Sequence, residues 1–171
     1  LSSVATMILP ADAAWGETRA KKISNVSPVT KPAIDDHQVK AAVKAIRNHP
    51  GRCGILLDGE ALHAENLSLV EEIAARHDVE LYVPVFISRL SRGLGRPSLK
   101  RIPYPVDEAV ATLAHLDVLI LVGAIPPVAF FAYPGKPSAL TPKTCKLISL
   151  ATVRDEIPNA LARLGDADRK T

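Results

Sequence analysis

Two short apolar runs stand out from the pattern of hydrophobic and polar positions. The first, Cys53-Gly-Ile-Leu-Leu57, lies inside Arg52–Gly59 and shows no alternation of apolar with polar residues. An unbroken run of that length suits a strand covered on both faces, as in a parallel sheet between helices. It stops at Asp58-Gly59, a turn signal, and helical spacing follows directly. The second run, Asp117-Val-Leu-Ile-Leu-Val-Gly123, is of the same kind and also ends on glycine. These two are expected to be the central strands. In a doubly wound sheet the crevice beyond their carboxyl ends is the natural ligand position.

The remaining periodicity places elements around them. Ser3–Leu9 reads as a strand-like apolar segment, and Gly16–Pro32 as an exposed linker without periodicity. Asp35-Asp36 offers an N-cap, and Val39, Val43 and Ile46 give one face of a helix that Pro50-Gly51 ends. Leu62, Val70, Ile73 and Ala74 mark a helix running to about His77. Glu80–Phe86 is a strand, with Pro84 pointing to a position toward the sheet edge. Ile87–Pro105 is a long connection. Val106, Val110 and Leu113 stripe another helix behind Asp107 and Glu108. After the second central strand, Ala124–Thr144 holds five prolines and little regular structure. Cys145–Leu150 is a last strand, and Glu156–Leu164 a last helix before a polar tail. Strands alternating with helices predict an α/β fold: a Rossmann-like, doubly wound parallel sheet with helices on both faces.

Composition narrows this picture only in places. The chain has 171 residues, enough for one domain with attached tails, and its 47% apolar content supports a real core. It has no apolar run of transmembrane length and no visible signal peptide, so neither a membrane span nor secretion is expected. It begins with Leu1 rather than Met, which suggests a piece of a longer protein. A net charge of +3 is too mild to imply nucleic acid. Cys53 and Cys145 both fall in predicted strands and read as buried free thiols, in keeping with a cytoplasmic protein.

Candidate chemistry is sparse. Gly93-Leu-Gly95-Arg-Pro-Ser98 imitates a dinucleotide fingerprint, but it follows no strand directly and prolines oppose a helix opening there. Gly165-Asp166-Ala167 is not a metal–diphosphate motif. The five histidines, at 37, 49, 63, 77 and 115, lack ligand spacing. Three features remain. The turn Asp58-Gly59-Glu60 opens a helix, whose N–H groups favour a phosphate, although its carboxylates oppose one. The basic connection carries Arg89, Arg92, Arg96, Lys100 and Arg101 with no acidic residue, and could grip a diphosphate or another domain. Phe130, Phe131 and Tyr133 place three of the seven aromatic residues in one loop, a ring-stacking or interface surface.

Ile8-Leu-Pro-Ala-Asp-Ala-Ala-Trp15, Lys31-Pro-Ala-Ile34, Gly54-Ile-Leu-Leu-Asp-Gly59-Glu-Ala-Leu62 and Asp117-Val-Leu-Ile-Leu-Val-Gly-Ala124, in this order, resemble a family. It is that of the thiamine-diphosphate-dependent enzymes, with acetolactate synthase large subunits and benzoylformate decarboxylase as relatives. Tyr104-Pro-Val-Asp-Glu-Ala109 and Phe130-Phe-Ala-Tyr-Pro-Gly-Lys-Pro137 resemble an acetolactate-synthase-like subgroup. The resemblance implies that residues 1–16 close a preceding pyrimidine-binding domain and that 17–34 are a linker. It makes 35–165 the central Rossmann-like domain, of DHS-like NAD/FAD-binding type, and 166–171 a polar tail. It implies a parent 2-oxo acid decarboxylase or carboligase, homo-oligomeric, whose flanking pyrimidine- and diphosphate-binding domains hold thiamine diphosphate and magnesium. The central domain would then be scaffold and interface, without catalytic or metal-binding residues. Some members hold FAD or ADP there, which would fall to Asp58, Gly59, Glu60, Arg92, Arg96, Gly123 and Ala124. Asp58-Gly59-Glu60 stands where flavin binders have several glycines, and Ile125-Pro126-Pro127 where they carry an arginine. Both departures weigh against FAD. The alternative is a free-standing flavin- or nucleotide-binding module of electron-transfer-flavoprotein type.

Overall fold

The computed structural model describes residues 6–17, 25, 27, 28 and 30–170. Its centre is a five-stranded, all-parallel sheet in the order β3-β2-β1-β4-β5. The strands are β1 (Cys53–Leu57), β2 (Glu80–Val83), β3 (Lys100–Arg101), β4 (Val118–Val122) and β5 (Lys146–Ala151). The helices are α1 (Ala11–Trp15), α2 (Asp36–Asn48), α3 (Ala64–His77), α4 (Val106–Leu113) and α5 (Ile157–Lys170). This order is that of a Rossmann half-sheet, 3-2-1, carried two strands past its centre.

Both central runs are buried along their whole length, as an unbroken apolar pattern requires. Their side chains divide by parity. Cys53, Ile55 and Leu57, with Val118, Ile120 and Val122, pack under α2, α3 and α5. Leu56, Leu119 and Leu121 join Tyr82 and α4 on the other face. Gly54 faces that second side, where a Cβ would come within 3.1–3.2 Å of Leu119, Tyr82 and Leu116. Helices therefore cover both faces, three on one and one on the other. The loop between β4 and β5 contributes Ala124, Ala129 and Leu140 to the thinner side.

The capping expectation holds, and several others shift. Asp35 caps α2, its carboxylate accepting from the His37 N–H at 2.9 Å. The helix expected after Gly59 begins instead as a 3-10 turn over Gly59–Leu62, and α3 starts at Ala64. Pro84 lies toward the sheet edge, as expected, but not in the edge strand itself. It ends β2, and Lys100–Arg101, within the basic connection, supplies the edge strand beyond it. Cys145 stands just before β5, half-buried, whereas Cys53 is fully buried. The expected polar tail at 166–171 is helical as far as Lys170, because Asp168 turns inward and is buried. Of the expected strand Ser3–Leu9, residues 6–9 pair with no strand, and residues 3–5 lie outside the described residues. Much of the linker lies outside them too. No helix among the described residues is long and apolar enough to cross a membrane.

Candidate functional site

The carboxyl ends of β1 and β4 meet as the two central runs imply. The Asp58 N–H donates to the Val122 carbonyl at 3.0 Å, and the Gly123 N–H donates to that of Ala151 at 2.8 Å. Gly123 has φ +67°, and a Cβ there would fall 2.5 Å from the Asp58 carbonyl oxygen and 2.8 Å from Ile157 Cδ1. Only a glycine lets the two strand ends close up in this way. Asp58, Gly59, Gly123 and the buried Ala124 are thus neighbours at the switch point.

Asp58 separates two openings. One is a polar crevice of about 600 Å³ lined by Asp58, Gly59, Glu60, His63, Ser88, Arg89, Val153 and Ile157. Glu60 is neutralised there. Lys31 Nζ donates to both its oxygens at 2.8 Å, and this pairing holds the Glu60 carboxyl below its ordinary value. The buried Asn66 fixes the same turn by donating to the Glu60 carbonyl at 2.7 Å. Asp58 is not neutralised. Its carboxylate accepts from the Gly59 N–H at 2.7 Å and makes no ion pair among the described residues. Burial raises its pKa, and the Gly59 hydrogen bond opposes that rise.

The second opening is an apolar cleft of about 320 Å³. Leu56 and Asp58 line it, with Pro84–Phe86 beyond β2, Ile102–Tyr104 beyond β3, and Ile125–Phe130 beyond β4. Phe86, Tyr104 and Phe130 form a triangle of rings on it, with centroids 5.3, 6.0 and 6.4 Å apart. Phe131 and Tyr133 extend the ring contacts outward. Five of the seven aromatic residues therefore sit together and partly exposed.

Arg92 and Arg96 are not at the crevice. They line a separate depression with Leu90, Gly93 and Leu99. Arg96 is occupied on α3, donating to the Ala64 carbonyl and Ser68 Oγ at 3.3 Å. Arg101 donates to the Val85 carbonyl at 2.6 Å, and Lys100 pairs with Glu80. Of the basic residues in that connection, only Arg89 lines the crevice. The turn after β1 is a four-residue 3-10 helix with an uncompensated carboxylate at its head. Its residues do not fit a diphosphate. Nor, among the described residues, do three or more His, Cys, Asp or Glu side chains gather to hold a metal. The residues present do not fit magnesium-bound thiamine diphosphate.

Strand order and switch point define a Rossmann-like α/β domain. A protein from Mycobacterium smegmatis, titled as a thiamin diphosphate-dependent enzyme, shares this fold with a TM-score of 0.61 and 19% identity. The match covers 84% of this chain and 30% of that one. No family model matches the sequence. The Mycobacterium tuberculosis protein named as an acetolactate synthase large subunit, IlvX, is 30% identical over 179 aligned positions. That alignment takes in 98% of this chain and 34% of the relative. Along nearly its whole length the chain is thus similar to a part of that acetolactate synthase-type relative, and it spans about a third of the relative's length.

Proposed function

We propose that this chain is the central, non-catalytic domain of a cytoplasmic, homo-oligomeric 2-oxo acid decarboxylase or carboligase of acetolactate-synthase type. The observation that carries this reading is the alignment, which uses nearly all of this chain but 34% of the relative. The remaining two thirds of such a parent would hold thiamine diphosphate and magnesium. Thiamine diphosphate supplies the electron sink for carbon–carbon bond cleavage in enzymes of this kind.

This chain's own residues would act as scaffold and interface. Met7, Ile8 and Trp15 are 85–90% exposed, apolar surface suited to burial against the preceding domain. Asp58 at the switch point disfavours FAD or ADP. The purified chain is expected to turn over neither pyruvate nor benzoylformate when supplied with thiamine diphosphate and magnesium. The enzyme read from the whole surrounding reading frame is expected to decarboxylate or condense a 2-oxo acid. Turnover by the chain alone, or a frame without flanking domains, overturns the reading.

A further inference from the structure

We propose that the apolar cleft between the ends of β1–β4 is a binding site for a small aromatic amine, its ring held by Phe86, Tyr104 and Phe130 and its cationic group by Asp58. The cleft is lined by residues of this chain.

Size comes first. A cleft of about 320 Å³ falls at the lower end of small-molecule pockets, which run from roughly 300 to 1,000 Å³. It has room for one or two fused rings and is too small for a dinucleotide. Its lining comes next. Leu56, Val85, Ile102, Leu140 and the prolines give apolar walls, so a ligand with a polar body would lose its hydration without replacement. The three rings are 46–63% exposed, two of their contacts T-shaped and the third tilted. They offer faces to a further ring or to a cation.

Charge then selects the ligand's polar end. Among the described residues, Asp58 is the one acidic residue of the lining, and no Lys, Arg or His lines the cleft. Only the Gly59 N–H bonds its side chain among the described residues. A half-buried carboxylate without a cation is stabilised by an ammonium and repels a phosphate or carboxylate. The same residue thus rejects anionic nucleotides and favours amines. The part-buried Glu–Lys pairing next door does not compete, since Lys31 is held by Glu60.

The test is calorimetric titration of the 171-residue chain with tryptamine and with indole-3-propionate, which carries the same ring and the opposite charge. Tryptamine is expected to saturate one site and to bind at least about tenfold more tightly than indole-3-propionate, the usual scale of one charge-assisted contact. Asp58→Asn, which keeps an acceptor for the Gly59 N–H, is expected to weaken tryptamine by about tenfold. Phe130→Ala alters an exposed ring outside the buried core, and should weaken it as well. It decides the matter together with the two ligands if Asp58→Asn does not fold. Equal affinity for the two indoles, unchanged affinity in Asp58→Asn, or no saturable tryptamine binding up to millimolar concentration overturns the proposal.

Discussion

Single residues fix how the two central strands end. Gly59 and Gly123 both have positive φ, yet only Gly123 is crowded, since a Cβ at Gly59 would meet nothing within 4 Å. Gly59→Ala should therefore cost about 1 kcal/mol, the left-handed strain alone. Gly123→Ala should cost about 3 kcal/mol or more, because the Asp58 carbonyl must also move. Urea unfolding of the two variants measures the difference, and equal losses would mean that the strand ends are not in contact. At the opposite end of the same strands, Arg52 donates twice to Asp117, at 2.6 and 2.7 Å, with His49 nearby at 3.5 Å. The Arg52 hydrogen bonds are the main reason the Asp117 carboxyl sits at about 2. Its folded value lies below the unfolded value of about 3.9. The stability it contributes is therefore complete above about pH 5 and lost as pH falls through about 2. The gap in unfolding midpoint between the parent chain and Asp117→Asn should narrow steadily over that window, whereas a constant gap would assign the effect to something other than ionisation.

Among the elements, α5 departs most from its sequence pattern. Leu161 and Leu164 announce an apolar face, but the run Asp166-Ala-Asp-Arg-Lys170 reads as a solvated tail. Asp168 is instead buried between three elements. Arg47 of α2 donates to its carbonyl, Arg76 of α3 stands 3.0 Å from Oδ2 as an ion contact without good hydrogen-bond alignment, and His77 Nε2 lies 2.8 Å from Oδ1. Asp168→Ala should cost about 2–3 kcal/mol, since Arg47 and Arg76 are partly exposed and can regain water. Chemical denaturation checks this, and a neutral result would return the last turn of α5 to the status of a tail. The contrast explains what was legible. β1, β4, α2 and α4 declare themselves through unbroken apolar runs, a capping aspartate and a 3.6-residue stripe. Asp168 does not, because a buried charge has no periodic signature and its partners lie 91 and more positions away. The cleft was half legible: Phe130 stood out within its loop, but Phe86 and Tyr104 join it only because parallel topology brings every strand's carboxyl end to one side. Arg92 and Arg96 looked suited to the crevice by charge alone, and sequence gives no hint that Arg96 is spent on the first turn of α3.

For the whole molecule, the question is where the folded unit begins. Residues 6–17 are exposed throughout, and the sole tryptophan, Trp15, is 90% exposed. Lys31 is the first described residue tied to the crevice, through Glu60. Ile34 is buried in the larger core cluster, and its carbonyl accepts from Arg163 Nη1 at 2.6 Å, fastening the entry of α2 to α5. Ile34 is the first core side chain among the described residues, so the stable unit is expected to begin close to residues 31–34. Removing residues 1–27 should shift Tm by no more than about 2 °C, the scale of half a kcal/mol or so in a domain of this size. Removing residues 1–34 deletes a buried isoleucine, the Arg163 acceptor and the Lys31–Glu60 pair together. Loss of the isoleucine burial alone is worth about 1.5–3 kcal/mol, so Tm should fall by roughly 4–10 °C. Tryptophan emission gives an independent check on the longer chain, because Trp15 should report a watery environment before and after unfolding. Scanning calorimetry of the two truncations, beside iodide quenching of Trp15, places the boundary. A large Tm loss already at residue 27, or a shielded Trp15, would mean that the leading segment packs on this core and is not surface left for a neighbouring domain.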